Sequence, residues 1–179
     1  MNTNGATEAE LPVDKNLSAY EVHTDPDRLE LDVIHGFLVR SYWSPGVPRE
    51  VVARAITHSL CFGLYHHGAQ IGFARVVTDR ATFAYLADVF VLEEHRGRGL
   101  SKQLMAVIVA HPDLQRLRRF LLATRDAHGL YRQFGFAALS YPSRLMEILR
   151  PNIYRMAATV DGKERGPATV PNCPASASR

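Results

Sequence analysis

Between Tyr20 and Arg155 the chain carries blocks of apolar residues separated by short polar turns; outside those limits the periodicity fades. YEVHT (20–24) alternates like a short strand. RLELDVIHGFLVRS (28–41) sets Leu29, Val33, Phe37 and Val39 or Arg40 near one face of a helix, and Asp25 or Asp27 can supply its N-cap. SPGVP ends that helix, and Pro48 suits the first turn of a second, REVVARAITHS (49–59). LCFGLYHHGAQIGFARVVT (60–78) reads as two strands about a His67–Gly68 turn. ATFAYLADVFVL (81–92) is a third strand, apolar enough to lie centrally in a sheet. A helix over 100–110 follows, with Leu100, Leu104, Val107 and Ile108 on one side and Pro112 as its stop. RFLLAT (119–124) is a buried strand, and DAHGLYRQF (126–134) is a short helix capped by Gly135. FAAL (136–139) and MEIL (146–149) complete the pattern as two closing strands. The order strand, two helices, three strands, helix, strand, helix, two strands predicts a mixed α/β domain.

The polar residues 1–19 and the Pro-, Ser- and Ala-rich residues 156–179 read as flexible tails around one domain at 20–155. A chain of 179 residues, 46% hydrophobic and 22% charged, can build one real core. The N-terminus has no signal-peptide pattern and no apolar run is long enough to span a bilayer, which favours the cytoplasm. Cys61 and Cys173 form no disulfide framework, consistent with a reducing compartment. The net charge of +3 is mild, and its one local cluster, Arg116, Arg118 and Arg119, lacks the aromatic interleaving of a nucleic-acid surface. No metal-ligand spacing occurs; His66 and His67 are adjacent in a hairpin, where their side chains diverge.

The densest chemistry lies in VFVLEEHRGRGLSKQLMAVIV (89–109), where a strand hands over to a helix through Arg96-Gly97-Arg98-Gly99. A helix start offers unpaired N–H groups and a dipole that favours anions. Glycine lets a ligand come close to the backbone, and Arg96, Arg98 and Lys102 add positive charge. The turn is therefore a candidate pyrophosphate cradle, against the plainer reading of a tight turn with solvated arginines. It is not a Rossmann fingerprint, because Lys102 occupies the third glycine position, and its spacing is not that of a P-loop.

RGRGLS matches an acyl-CoA turn, Arg/Gln-x-x-Gly-x-Gly/Ala, at Arg96 and Gly99, with Ser101 in the last small position. Thirty residues on, HGLYRQFGF resembles the second signature of the same family, apolar-Tyr-x-x-Phe-Gly-Phe. On these two motifs, residues 20–150 resemble the GNAT superfamily of N-acetyltransferases. The resemblance implies a mostly antiparallel sheet of about six to seven strands, flanked by about four helices, with a splayed central strand pair. It also implies that the backbone of Phe90 and Val91 meets the pantetheine arm of acetyl-CoA. The pyrophosphate would rest on Arg96, Gly97, Arg98, Gly99, Leu100 and Ser101, with Lys102 nearby. Thr124 stands where the family often has Asn, which puts one cofactor contact in doubt.

Tyr131 matches the family's tyrosine acid, and a phenol of pKa near 10 can donate to a departing thiolate; alone, it reads equally as a packed aromatic. Asp88 interrupts an apolar strand, so it is solvated, paired or functional: either a base for the attacking amine or a structural partner of a residue such as Arg75. Glu93, Glu94 and His128 are weaker candidates. Tyr42 and Trp43 lie where family members shape the acceptor site, and core packing suits them as well. The expected activity is direct acetyl transfer from acetyl-CoA to a primary amine, with a small-molecule acceptor and no metal, nucleic acid or membrane partner. Acetylation of a protein amine and a non-catalytic acyl-CoA-binding module are the alternatives. Frequent dimerisation in the family makes a homodimer an expectation, although nothing in the sequence shows an interface.

Overall fold

A computed structural model describes residues 19–150 together with 153–154. Apart from Ala19, both expected tails lie outside the described residues. Five strands form one sheet in the order β1-β2-β3-β4-β5: β1 Tyr20–His23, β2 Leu60–His66, β3 Ala69–Thr78, β4 Phe83–Val91 and β5 Arg119–Leu122. Neighbours are antiparallel except β4 and β5, which run parallel. Among the described residues four helices accompany the sheet: α1 Leu31–Leu38, α2 Arg49–Thr57, α3 Leu100–Ala110 and α4 His128–Arg132. Among the described residues no helix is long and apolar enough to cross a membrane.

The turns explain the strand limits. His67 and Gly68 both have positive φ, +50° and +84°, which suits a tight hairpin between β2 and β3. The β3–β4 turn is tied by Asp79, whose Oδ1 accepts from the N–H groups of Ala81, Thr82 and Phe83. The Thr82 hydroxyl, donating to Oδ2 at 2.7 Å, and those backbone bonds hold its carboxyl well below the usual range. After α4, Gly135 takes φ +83° and the Phe136 N–H donates to Tyr131 O at 3.2 Å, a Schellman-type ending. That ending holds Phe136 against Phe120 of β5 and against Tyr131.

The core is divided by the sheet. On one side Leu104, Met105 and Ile108 of α3 pack on Phe62, Ala74, Val76 and Leu86. On the other, Ile34 and Leu38 of α1 and Val52 of α2 pack on Phe73 and Phe90. The sequence placed Val107 on the buried face of α3; Met105 is buried instead, and Val107 is 37% exposed.

Three further expectations change. The first helix begins at Leu31, because Asp25 caps a separate single turn over Pro26–Arg28; Glu30 is the N-cap of α1 and makes no side-chain cap bond. Pro48 is the N-cap of α2 rather than its first helical residue. Among the described residues the sheet has five strands, and the six to seven expected are not confirmed. FAAL and MEIL carry strand-like composition, yet neither pairs, and a strand is defined by its ladder.

Leu104→Ala should cost about 2–5 kcal/mol, as expected for emptying a fully buried leucine site. Val107→Ala should stay within about 0.5 kcal/mol, as on a surface. Urea unfolding of both variants checks which face of α3 is buried.

Candidate active site

The site begins with a strand pair that parts. β4 pairs with β3 as far as Val91, but with β5 only over Phe83–Leu86. Residues 87–91 therefore have no ladder partner on the β5 side, and the backbone there is open to a ligand. Opposite β3, Phe73 faces Phe90 while Arg75 faces Ala87: two steps on one strand against three on the other. The surplus residue is a bulge at Asp88, whose φ is +56°. Aspartate tolerates this region better than most residues.

The bulged aspartate is held from two sides. Arg75 Nε donates to Asp88 Oδ2 at 2.7 Å, and Trp43 Nε1 donates to Oδ1 at 3.2 Å. The pair is largely shielded, with side-chain exposures of 18% for Arg75 and 13% for Asp88. Arg75 also donates to Ser59 Oγ. Asp88 is thus paired to the arginine named as its structural partner, while it still lines a cavity.

That cavity, of about 570 Å³, lies over the parted strands. Its walls bring together Asp88, Tyr131 and Thr124, with Tyr42, Trp43 and Tyr85 as aromatic surface. The α1–α2 connection forms the roof: Tyr42 and Trp43 meet edge to face at 4.9 Å, and the Arg125 guanidinium lies 3.9 Å over the Tyr42 ring. The Arg125 N–H donates to Tyr42 Oη at 3.3 Å. Thr124 Oγ1 accepts from the Ala127 N–H at the start of α4, so its hydroxyl is first a local cap. Tyr131 is buried, and its pKa is pushed up to about 12, chiefly by desolvation, with Tyr42 and Asp126 adding to the shift. Its hydroxyl stays protonated at neutral pH. His128 does not line this cavity.

The glycine turn lies apart from this chamber; none of residues 96–102 lines it. Gly97 and Gly99 have φ of +76° and +78°, and Gly99 is the N-cap of α3. Among the described residues, the N–H groups of 97–101 find no protein partner. An added Cβ at either glycine would meet nothing within 4 Å, so the space in front of them is open. Arg96 braces the turn, donating to Val91 O at 3.0 Å and to Glu93 Oε1 at 3.3 Å. Arg98 reaches Tyr20 Oη at 2.7 Å. Lys102 is exposed on the first turn of α3, and the side chain of Leu100 is in the core. The side chains of Phe90 and Val91 are buried, Phe90 stacked on Phe37 at 3.9 Å, so only their backbone can serve a ligand. Free amides, open space and a helix start fit an anionic phosphate group. Trp43 also lines a second cavity, of about 350 Å³, which includes Glu93, Glu94 and Arg96 and adjoins the turn.

Cys61 is buried, with Sγ near the carbonyls of Ile56 and Ser59, and desolvation pushes its thiol up to about 12. It packs in the core, where burial disfavours the thiolate that a nucleophile requires. The sequence did not reveal the bulge, the Trp43–Asp88 bond or the Tyr42–Arg125 stack. The sole signal of the bulge was a charged residue inside an apolar strand.

Comparison with known proteins agrees with this geometry. A family model described as the acetyltransferase (GNAT) domain matches residues 57–138. A Gibberella zeae protein provisionally named an acetyltransferase is 32% identical over 133 residues, 63% of this chain and 75% of its own length. A crystal structure from Xanthomonas campestris pv. campestris, of a protein assigned to the GNAT family, shares 54% identity. Its TM-score is 0.74, and the match covers 75% of this chain and 96% of that one. The fold extends to a Clostridium acetobutylicum structure described as a predicted acetyltransferase with acetyl-CoA. That match has 12% identity and a TM-score of 0.53, covering 73% of this chain and 94% of the other. The family model and these relatives place the chain among the α/β acetyltransferases. The chain belongs to the GNAT acetyltransferase family.

Arg75→Met should destabilise the protein by roughly 3–5 kcal/mol, since it leaves the shielded Asp88 carboxylate without its cation. The double variant Arg75→Met/Asp88→Leu should recover most of that loss. Denaturant midpoints of the two variants check it.

Proposed function

We propose that this protein is an N-acetyltransferase that moves the acetyl group of acetyl-CoA directly onto a primary amine of a small molecule. One observation carries the reading: Asp88 and Tyr131 face one cavity, over the stretch of β4 that lacks a neighbour on the β5 side. The backbone of Phe90 and Val91, the amides of 97–101, Lys102 and Thr124 are the groups that would hold acetyl-CoA. Bound, that co-substrate supplies an acetyl group activated as a thioester.

The remaining chemistry falls to side chains. An amine attacks only when neutral. Asp88, directly or through a water it holds, attracts the incoming ammonium and takes up the proton that the nitrogen sheds. Tyr131 stays protonated because it is buried, so it can donate to a sulfur that leaves as thiolate. No acyl-enzyme is needed, and Cys61, desolvated in the core, is not suited to form one. The roof formed by Tyr42 and Trp43 gives the cavity the dimensions of a small-molecule site and favours a small amine over a protein surface. Its aromatic walls suit an organic cation.

Tyr131→Phe should lower turnover by roughly 10²–10⁴-fold, the usual span for a lost general acid, with acetyl-CoA affinity unchanged. With wild-type protein, turnover should rise with pH as the amine loses its proton and should not fall until near pH 12, where Tyr131 ionises. Steady-state kinetics across pH check both statements; a falling limb that persists unchanged in Tyr131→Phe would show that Tyr131 is not the donor.

Acetyl-CoA should raise the thermal unfolding temperature of the wild-type protein, while NADH and ATP should not. Gly99→Glu should abolish the shift, because it sets a carboxylate among the free amides. Gly99→Ala, with the same positive-φ strain but no charge, should keep it. An unchanged shift in Gly99→Glu would reject the turn as the phosphate site.

A further inference from the structure

One cavity beside the candidate active site is not used by the proposed chemistry. It is a recess of about 80 Å³, lined by Val47, Val51, Ala55 and Ile56 from α2 and the connection before it, and by Phe73 of β3. Ser44, Arg75, Asp88 and Tyr154 line both this recess and the larger chamber. Those four residues form the wall that the two cavities share, and Asp88 has a face on each. Tyr154 is partly buried and packs on the same apolar cluster as Leu38, Val52 and Phe73.

Folded interiors leave few voids larger than a water molecule, so the recess is more than ordinary packing space. It is poorly furnished for water. A buried water needs about two to four polar partners, and the polar groups of the shared wall are largely engaged within the protein. Both carboxylate oxygens of Asp88 have donors. Arg75 gives Nε to Asp88 and Nη1 to Ser59 Oγ. Ser44 Oγ lies 3.0 Å from Ser41 Oγ and donates to Leu38 O. The remaining walls are aliphatic or aromatic. An apolar cavity of about 150 Å³ takes a benzene ring, so one of about 80 Å³ suits a chain of roughly three carbons.

We infer that this recess holds the apolar tail of the acceptor, and that the acceptor is a short-chain primary alkylamine. The inference rests on the acetyl-transfer reading above. The ammonium meets Asp88 on the chamber side. Its chain passes the shared wall beside Tyr154 and lies among Val51, Ala55 and Phe73. A chain that fills the recess holds its nitrogen beside the carboxylate; a shorter one leaves the nitrogen free to wander in the chamber. Tyr154 sets the width of the passage, and so the length of chain that fits.

The test uses the full chain with methylamine, propylamine, butylamine and hexylamine, and reads thiol release from acetyl-CoA. A methylene in an apolar pocket changes kcat/KM by about tenfold or more. The value should therefore climb steeply from methylamine to butylamine and fall at hexylamine, which overfills the recess. Ala55→Leu fills the recess from α2 and should bring the butylamine-to-methylamine ratio close to one. Tyr154→Ala, which removes a partly buried side chain, should widen the passage and raise hexylamine to the level of butylamine. Binding is read separately, as the rise in unfolding temperature that each amine gives in the presence of CoA. Butylamine should give the largest rise in the wild-type protein, and Ala55→Leu should remove it. Thiol release that is independent of chain length, or a length profile unchanged in both variants, overturns the recess and leaves acetyl transfer standing. A length-dependent rise that Ala55→Leu removes, with no thiol released from any amine, supports the recess and overturns acetyl transfer to it. Absence of both release and rise overturns the recess.

Discussion

A parallel strand pair that stops after four residues governs this structure. Had β5 followed β4 to Val91, the sheet would have been closed, with every backbone group in that stretch used. Because it does not, β4 keeps a buried, apolar anchor on its β3 side and an open backbone on the other. The anchor rests on Phe90, stacked on Phe37 and packed near Phe73. Rigidity and accessibility thus occur on opposite edges of one strand. Helix α3 follows directly from that strand, so the amide-rich turn at its start is fixed relative to the gap by a short covalent path.

Asp88 makes the same strand costly. A shielded ion pair repays its desolvation only when its geometry is good and its other lone pairs are satisfied. Here both carboxylate oxygens have donors, one on β3 and one on the roof of the cavity. The backbone of Asp88 is also in a strained region. Shielding and strain thus coincide at one residue that lines the cavity. Trp43 spends its only polar group on that aspartate, so roof and strand are coupled through one side chain.

Elements set by local signals were legible in the sequence. The limits of α3, the His67–Gly68 reversal and the Gly135 cap all follow from residues within a few positions of one another. The glycine turn and Tyr131 could be singled out for the same reason. What was not legible depends on distant pairing. Trp43 and Asp88 lie 45 positions apart, and Tyr42 and Arg125 lie 83 apart, so no spacing rule joins them. The first helix was drawn too long because Asp25 capped a nearer turn. FAAL and MEIL were read as strands from composition, which reports a preference for burial and extension but cannot name the partner that makes a ladder.

The stack of Arg125 on Tyr42 has a kinetic consequence. Tyr42 is the point at which the roof touches the far wall, and it is half exposed. A cation over an exposed ring is worth about 0.5–1 kcal/mol, close to thermal energy. A contact of that strength breaks and re-forms by thermal motion, whereas Asp88 is anchored independently by Arg75 from the sheet.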